Sequence, residues 1–335
     1  ELGALGSFVG RTLTNPPDPA AFRKAAEDVL AASESEDGWM YEARDPAGAK
    51  GSLRHLIWSD KLRCPACRGV VTLWDACVAL DPAEISSTFS CPKCRHEEPL
   101  DGVQRVTVQE RDDVLGEQRA LRGRAMARVY GSTGKKRWSR PSTAADLTLI
   151  KKIEAEPIPS CVPQALIPWG DLYRKGYHQG ITHVHHFYTR RNLIVFARMW
   201  ERVESYHGAL REGLRFWLLS YNAAHGTIMT RVVAKSCQKD LVVTSAQPGV
   251  LYVSGLPVEK NFFAGLRRKL TTIAQAFETI HGGSGKVEVV HGSSCDVALP
   301  SGSIDYVFTD PPFGANIPYA ELSFINEAWL KTFTD

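Results

Sequence analysis

Two Cys-x-x-Cys pairs constrain this chain more than any other feature. Cys64-Pro-Ala-Cys67 and Cys91-Pro-Lys-Cys94 are separated by 23 residues. Two residues between thiolates let a tight turn present both sulfurs to one ion. Two such turns complete a closed tetrahedral site of four cysteines, the usual arrangement of structural Zn2+. A thioredoxin-like redox centre would need one pair, not two. Arg68, Arg95 and His96 follow the pairs and suit residual thiolate charge, and a β-hairpin fits in the gap. The spacing therefore predicts a zinc ribbon over residues 51–110. A closed four-cysteine site leaves no open coordination position, so the metal here builds a platform and performs no catalysis. The other four cysteines are scattered, and Cys77, between the pairs, is expected in the core. Eight cysteines in 335 residues fit a reducing cytoplasm better than a secreted disulfide framework.

Around the ribbon the sequence reads as mixed α/β. "AAFRKAAEDVLAASESE" has helical apolar spacing, with Asp18 as its cap. "ARVYGSTGKKRWSRP" reads as a hairpin with a glycine-containing turn. "DLTLIKKIEAE", the stretch from Thr189, and "GALREGLRFWLLSYNAA" predict helices. The last ninety residues predict strand or loop in "GVLYVSGL", helix in "VEKNFFAGLRRKLTTIAQAFETI", strands in "GKVEVVHGSS" and "SIDYVFTD", then helix in "YAELSFINEAWLKTF". Phe262 and Phe263 should be core, and Arg267, Arg268 and Lys269 a solvated face. That alternation predicts an open α/β sheet. No apolar run is long enough to span a membrane.

Two prolines then follow an apolar strand, in "SIDYVFTDPPFG". In doubly wound sheets, ligands bind beyond the carboxyl ends of the strands, where Asp310 would sit. Pro311 and Pro312 hold the backbone in a fixed non-helical course and donate no hydrogen bonds. The Asp310 carboxylate and the Pro311 carbonyl are left as neighbouring acceptors, which suits a planar amino group with two hydrogens. Phe313 offers a flat face for a flipped base. The competing role for Asp310 is an N-cap, but it lies too far upstream of "YAELSF" to cap that helix well.

Asp310, Pro311, Pro312 and Phe313 resemble the Asp/Asn/Ser-Pro-Pro-Tyr/Phe motif of S-adenosylmethionine-dependent amino methyltransferases. There the two acceptors hold the exocyclic amino nitrogen and aim its lone pair at the donor methyl. Aspartate at the first position is the usual adenine form. The upstream "VEVVHGSSCDVALPSGSIDYVFTD" resembles that family's strand, acidic turn and catalytic strand, which implies that Asp296 lies near the adenine ring of the cofactor. A solvated turn acid is the alternative for Asp296. Taken with the ribbon and "GITHVHHFYTRRNL", the chain is similar to the bacterial family of adenine-specific DNA methylases containing a zinc ribbon. The resemblance implies an incomplete Rossmann-like methyltransferase sheet with an inserted zinc ribbon and helical region. It divides the chain into 1–50, the N-terminal part of the methyltransferase domain; 51–110, the ribbon; 111–245, a basic hairpin and helical target-recognition region; and 246–335, the catalytic part. The family's glycine-rich cofactor loop precedes the ribbon and is missing here, so the expectation is a fragment starting just after it, with Glu1 binding the cofactor ribose. The implied partner is DNA; whether a restriction or phage-defence nuclease also partners the chain stays open.

Nucleic-acid contacts are sought in the segment Arg119–Arg140, which carries eight Lys or Arg residues and no acid. Arg124, Arg128, Lys135, Lys136, Arg137 and Trp138 are its candidate contacts, with a solvated hairpin as the alternative. Arg190 and Arg191 open a helix whose N-terminal amides favour an anion, and they serve either a DNA phosphate or packing. His183 and His185 could share a strand face and bind metal, but no further ligand is evident. Two other readings stay open: an RNA amino methyltransferase, and a non-catalytic zinc-ribbon nucleic-acid-binding module.

Overall fold

The computed structural model describes residues 3–174, 176–293, 295–309 and 317–334. Its spine is a long strand, Lys50–Arg63, that bends through two packing environments. One edge pairs with Arg124–Thr133, which turns back through Lys136–Pro141. Glu42–Arg44 and Val258–Lys260 also pair with the long strand. Every one of these pairings is antiparallel. The expected Rossmann-like sheet is therefore not what these residues form: the sheet observed is curled and antiparallel.

The curl has a local cause. Tyr130 pairs with His55 and Gly131 with Leu53, so Arg54 is the extra residue of a β-bulge. The bulge brings Leu53 and Leu56 to one face, while Ile57 turns to the other. At Gly131 an added Cβ would lie 2.1 Å from the Trp138 indole, so only glycine lets that ring lie flat on the sheet.

Eight helices among the described residues surround the sheet: α1 (Ala4–Thr14), α2 (Pro19–Asp37), α3 (Leu73–Cys77), α4 (Ala144–Glu154), α5 (Arg190–Glu204), α6 (Gly208–Leu219), α7 (Phe262–Ile280) and α8 (Tyr319–Leu330). The spacing anticipates all but α1 and the five-residue α3. Asp18 caps α2 as expected, accepting from the Ala21 amide at 2.7 Å. Phe22, Phe196, Trp217, Phe262 and Phe277 are fully buried where α2, α5, α6 and α7 meet. These helices come from 1–50, 111–245 and 246–335 alike, and share one apolar core. The ribbon side has a second, smaller core around Leu62, Leu73, Phe89 and Val103.

The strands expected in "GKVEVVHGSS" and "SIDYVFTD" do not form among the described residues. Val287, Val290, Ile304, Tyr306, Val307 and Phe308 lie exposed in irregular chain. Their sequence has strand character, but a strand buried on both faces requires hydrogen-bonding neighbours, and among the described residues no strand pairs with this segment. No described helix is long and apolar enough to cross a membrane.

Candidate functional site

The two cysteine pairs come together. The sulfurs of Cys64, Cys67, Cys91 and Cys94 all lie within 4.8 Å of one another. Cys64 Sγ is 3.6 Å from Cys94 Sγ, and Cys67 Sγ is 3.8 Å from Cys91 Sγ. A tetrahedron with metal–sulfur bonds of about 2.3 Å has edges of about 3.8 Å. The two turns repeat one construction. Arg68 donates its amide to Cys64 O, and Cys64 donates to Gly69 O; Arg95 donates to Cys91 O, and Cys91 donates to His96 O. Arg68 and Arg95 both adopt left-handed backbone, with φ of 57° and 63°. Cys64 and Cys91 are buried, while Cys67 and Cys94 are exposed, and none forms a disulfide. The donor set fits a metal such as zinc. As expected, Cys77 packs in the ribbon core.

A second cluster joins Asp112, His185 and His186, all buried. The histidines lie in a 3-10 turn, Val184–Phe187, not on the strand that would have paired His183 with His185. His185 Nε2 is 2.9 Å and His186 Nε2 2.6 Å from Asp112 Oδ2. His186 Nδ1 accepts the Thr182 and His183 amides at 3.1 and 3.2 Å. A neutral ring that accepts at Nδ1 carries its proton on Nε2, so Nε2 donates to Asp112 and has no lone pair for a metal. Burial, together with the Arg119 charge, lowers His186 to about 3, which keeps the ring neutral. Burial alone would raise Asp112, but the bonds from His185 and His186 outweigh it and hold the carboxyl well below its usual range. Asp112 also accepts the Val114 and Leu115 amides. The cluster is a structural clasp between the hairpin 107–122 and the turn before α5. Sequence inspection missed Asp112, because nothing at seventy residues' separation marks it as the partner of "HVHH".

The basic segment is largely consumed internally. Arg122 and Arg124 bind Asp60, a fully buried acid, at 2.8 and 3.1 Å. Arg119 lies 3.7 Å from Asp112, and Arg140 pairs with Asp146 at 2.5 Å. Arg128 donates to Ser139 Oγ at 3.0 Å and lies over the Tyr130 ring. Trp138 is buried and donates its indole N–H to Thr133 Oγ1. Arg190 pairs with Asp113, and Arg191 is buried against Glu259 and the Tyr41 ring, which makes it a packing residue. Lys135, Lys136 and Arg137 remain exposed at the hairpin tip.

Asp296 is exposed in irregular chain. Glu1, Asp310, Pro311, Pro312 and Phe313 lie outside the described residues. No family model, curated protein or solved structure matches this chain.

Proposed function

We propose that this chain belongs to an S-adenosylmethionine-dependent methyltransferase acting on the exocyclic amino group of adenine in DNA, with a zinc ribbon that helps present the nucleic acid. The observation that carries the reading is the sequence Asp310-Pro311-Pro312-Phe313 after an apolar run. The grouped thiols of Cys64, Cys67, Cys91 and Cys94 support the zinc ribbon. In this chemistry the Asp310 carboxylate and the Pro311 carbonyl accept the two amino hydrogens, and Phe313 stacks on the flipped base. The cofactor, when bound, supplies an electrophilic methyl on a sulfonium. The amino lone pair forms the new N–C bond as the S–CH3 bond breaks, and the surplus amino proton passes to Asp310 or to water.

The test is Asp310→Ala in the full-length protein, with radiolabelled cofactor and duplex DNA. Methyl incorporation should fall to background; unchanged incorporation would overturn the assignment. Label appearing in RNA and not in DNA would move the substrate and keep the chemistry. A second reading, a zinc-stabilised nucleic-acid-binding module without catalysis, draws on the antiparallel sheet and on the lack of strand in 286–309 among the described residues. It predicts nucleic-acid binding with no cofactor binding. Under either reading elemental analysis should find about one zinc per chain.

A further inference from the structure

Away from the neutralised arginines, a second group of cations collects where the long strand meets α7. Arg54 is the bulge residue, and its carbonyl accepts the Asn261 amide at 3.1 Å. Lys260 ends the short strand Val258–Lys260, opposite His55. Its ammonium lies 3.1 Å from His225 Nδ1. Arg268 and Lys269 follow on the second turn of α7, and Arg137 reaches the same region from the hairpin. Among the described residues none of these five cations forms an ion pair. Their neighbour Arg267 does, with Glu34 at 2.5 Å.

The crowding leaves its mark on the groups around it. Burial, Arg54 and Lys260 together lower His55 to about 3. Burial, then Lys260, Lys269 and Arg268, lowers His225 to about 4. Burial and the Arg268 charge bring Lys260 itself to about 8. The Tyr221 hydroxyl is buried beside Arg268, whose charge and hydrogen bonding act on it. Tyr221 stacks on His225, with ring centres 4.8 Å apart. His55 stacks on Tyr130 at 4.3 Å, giving the group an aromatic flank.

We propose that Arg54, Arg137, Lys260, Arg268 and Lys269 form a binding site for the phosphodiester backbone of a nucleic-acid strand. The proposal rests on the nucleic-acid part of the reading above but not on methyl transfer. Cations spread over the long strand, the hairpin, the short strand and α7 suit an extended polyanion better than one compact anion. An anion would relieve the mutual repulsion that now opposes charge on Lys260. The arginines of the 119–128 segment, bound to Asp112, Asp60 and Ser139, have little left to offer a ligand.

The test is fluorescence anisotropy of the zinc-loaded chain with labelled single-stranded and duplex oligonucleotides across a salt series. Arg268→Glu with Lys269→Glu should weaken binding by about ten-fold or more and lower the log–log salt slope by about one per lost phosphate contact. Arg267→Ala should change neither. Lys260, brought down to about 8, titrates close to neutrality, whereas His55 and His225 stay uncharged there. Affinity should therefore fall as pH rises through about 8, and Lys260→Arg should remove that fall. Equal binding by the wild type and the double variant at every salt would overturn the site. So would oligonucleotide binding that is absent while anionic phosphatidylserine vesicles are bound. Methyl incorporation plays no part in this readout, so a failed enzymatic assignment leaves it intact.

Discussion

The ribbon and the helical core solve the same problem with different means. In the helical core, α2, α5, α6 and α7 bury aromatic side chains against one another; Phe22 and Phe277 meet edge-on at 4.9 Å. The ribbon has strands of two or three residues and a small apolar cluster. Segments that short gain little from burial relative to the chain entropy they lose. Four grouped thiols able to hold one ion would replace the missing apolar surface, and both paired turns accept left-handed backbone at an arginine to aim the sulfurs. One strand, Lys50–Arg63, serves both regions, with Leu56 facing the helices and Ile57 the ribbon.

Removing the metal should break this comparison most sharply. Structural zinc contributes on the order of 10 kcal/mol of apparent folding free energy. Stripping it, or making Cys91→Ser with Cys94→Ser, should expose residues 64–105 to proteolysis and to fast amide exchange. The helical circular-dichroism signal should persist. Joint loss of both signals would show one cooperative unit in place of two.

The next effect concerns the pin between the regions. Asp60 is fully buried, and Arg122 also donates to Tyr177 O and Val253 O, at 2.8 and 3.0 Å. Asp60→Asn leaves Arg122 buried without its counter-charge, which should cost about 3–5 kcal/mol in urea unfolding. A loss under about 1 kcal/mol would mean that apolar contacts along the shared strand join the regions unaided.

What the sequence disclosed follows the range of the forces involved. The cysteine pairs and the helices α2, α4, α5, α6, α7 and α8 were legible because the signals are local: x-x spacing, 3.6-residue periodicity, and Asp18 at a cap. The sheet was not. Val258–Lys260 reads as the start of a helix, yet it pairs with Ile57, Leu56 and His55, two hundred residues away. The acid-free run Arg119–Arg140 reads as free positive charge, but its neutralising partners Asp60, Asp112 and Asp146 all lie outside it. The Lys260 cluster escaped for the converse reason: its cations are scattered in sequence and meet only in space.

The smallest effect sharpens the boundary between the regions through pH. His186 is neutral in the folded chain, lowered to about 3 chiefly by burial, while the unfolded value is about 6.5. Between these values the unfolded chain binds the extra proton, so stability falls as the pH drops below about 6.5. Going from about pH 7 to about 5.5 should cost about 1 kcal/mol for this one ring. Asparagine at 186 offers an oxygen to the Thr182 and His183 amides but does not titrate. His186→Asn should therefore be less stable at about pH 7, having lost the bond to Asp112, and should show an acid slope shallower by about 1 kcal/mol over the same interval. Hydrogen exchange locates the change. If the clasp belongs to the helical region, acid should speed exchange in 182–200 before it reaches the amides of the ribbon turns. Simultaneous acceleration in both would place Asp112 and His186, like Asp60, on the boundary that couples them.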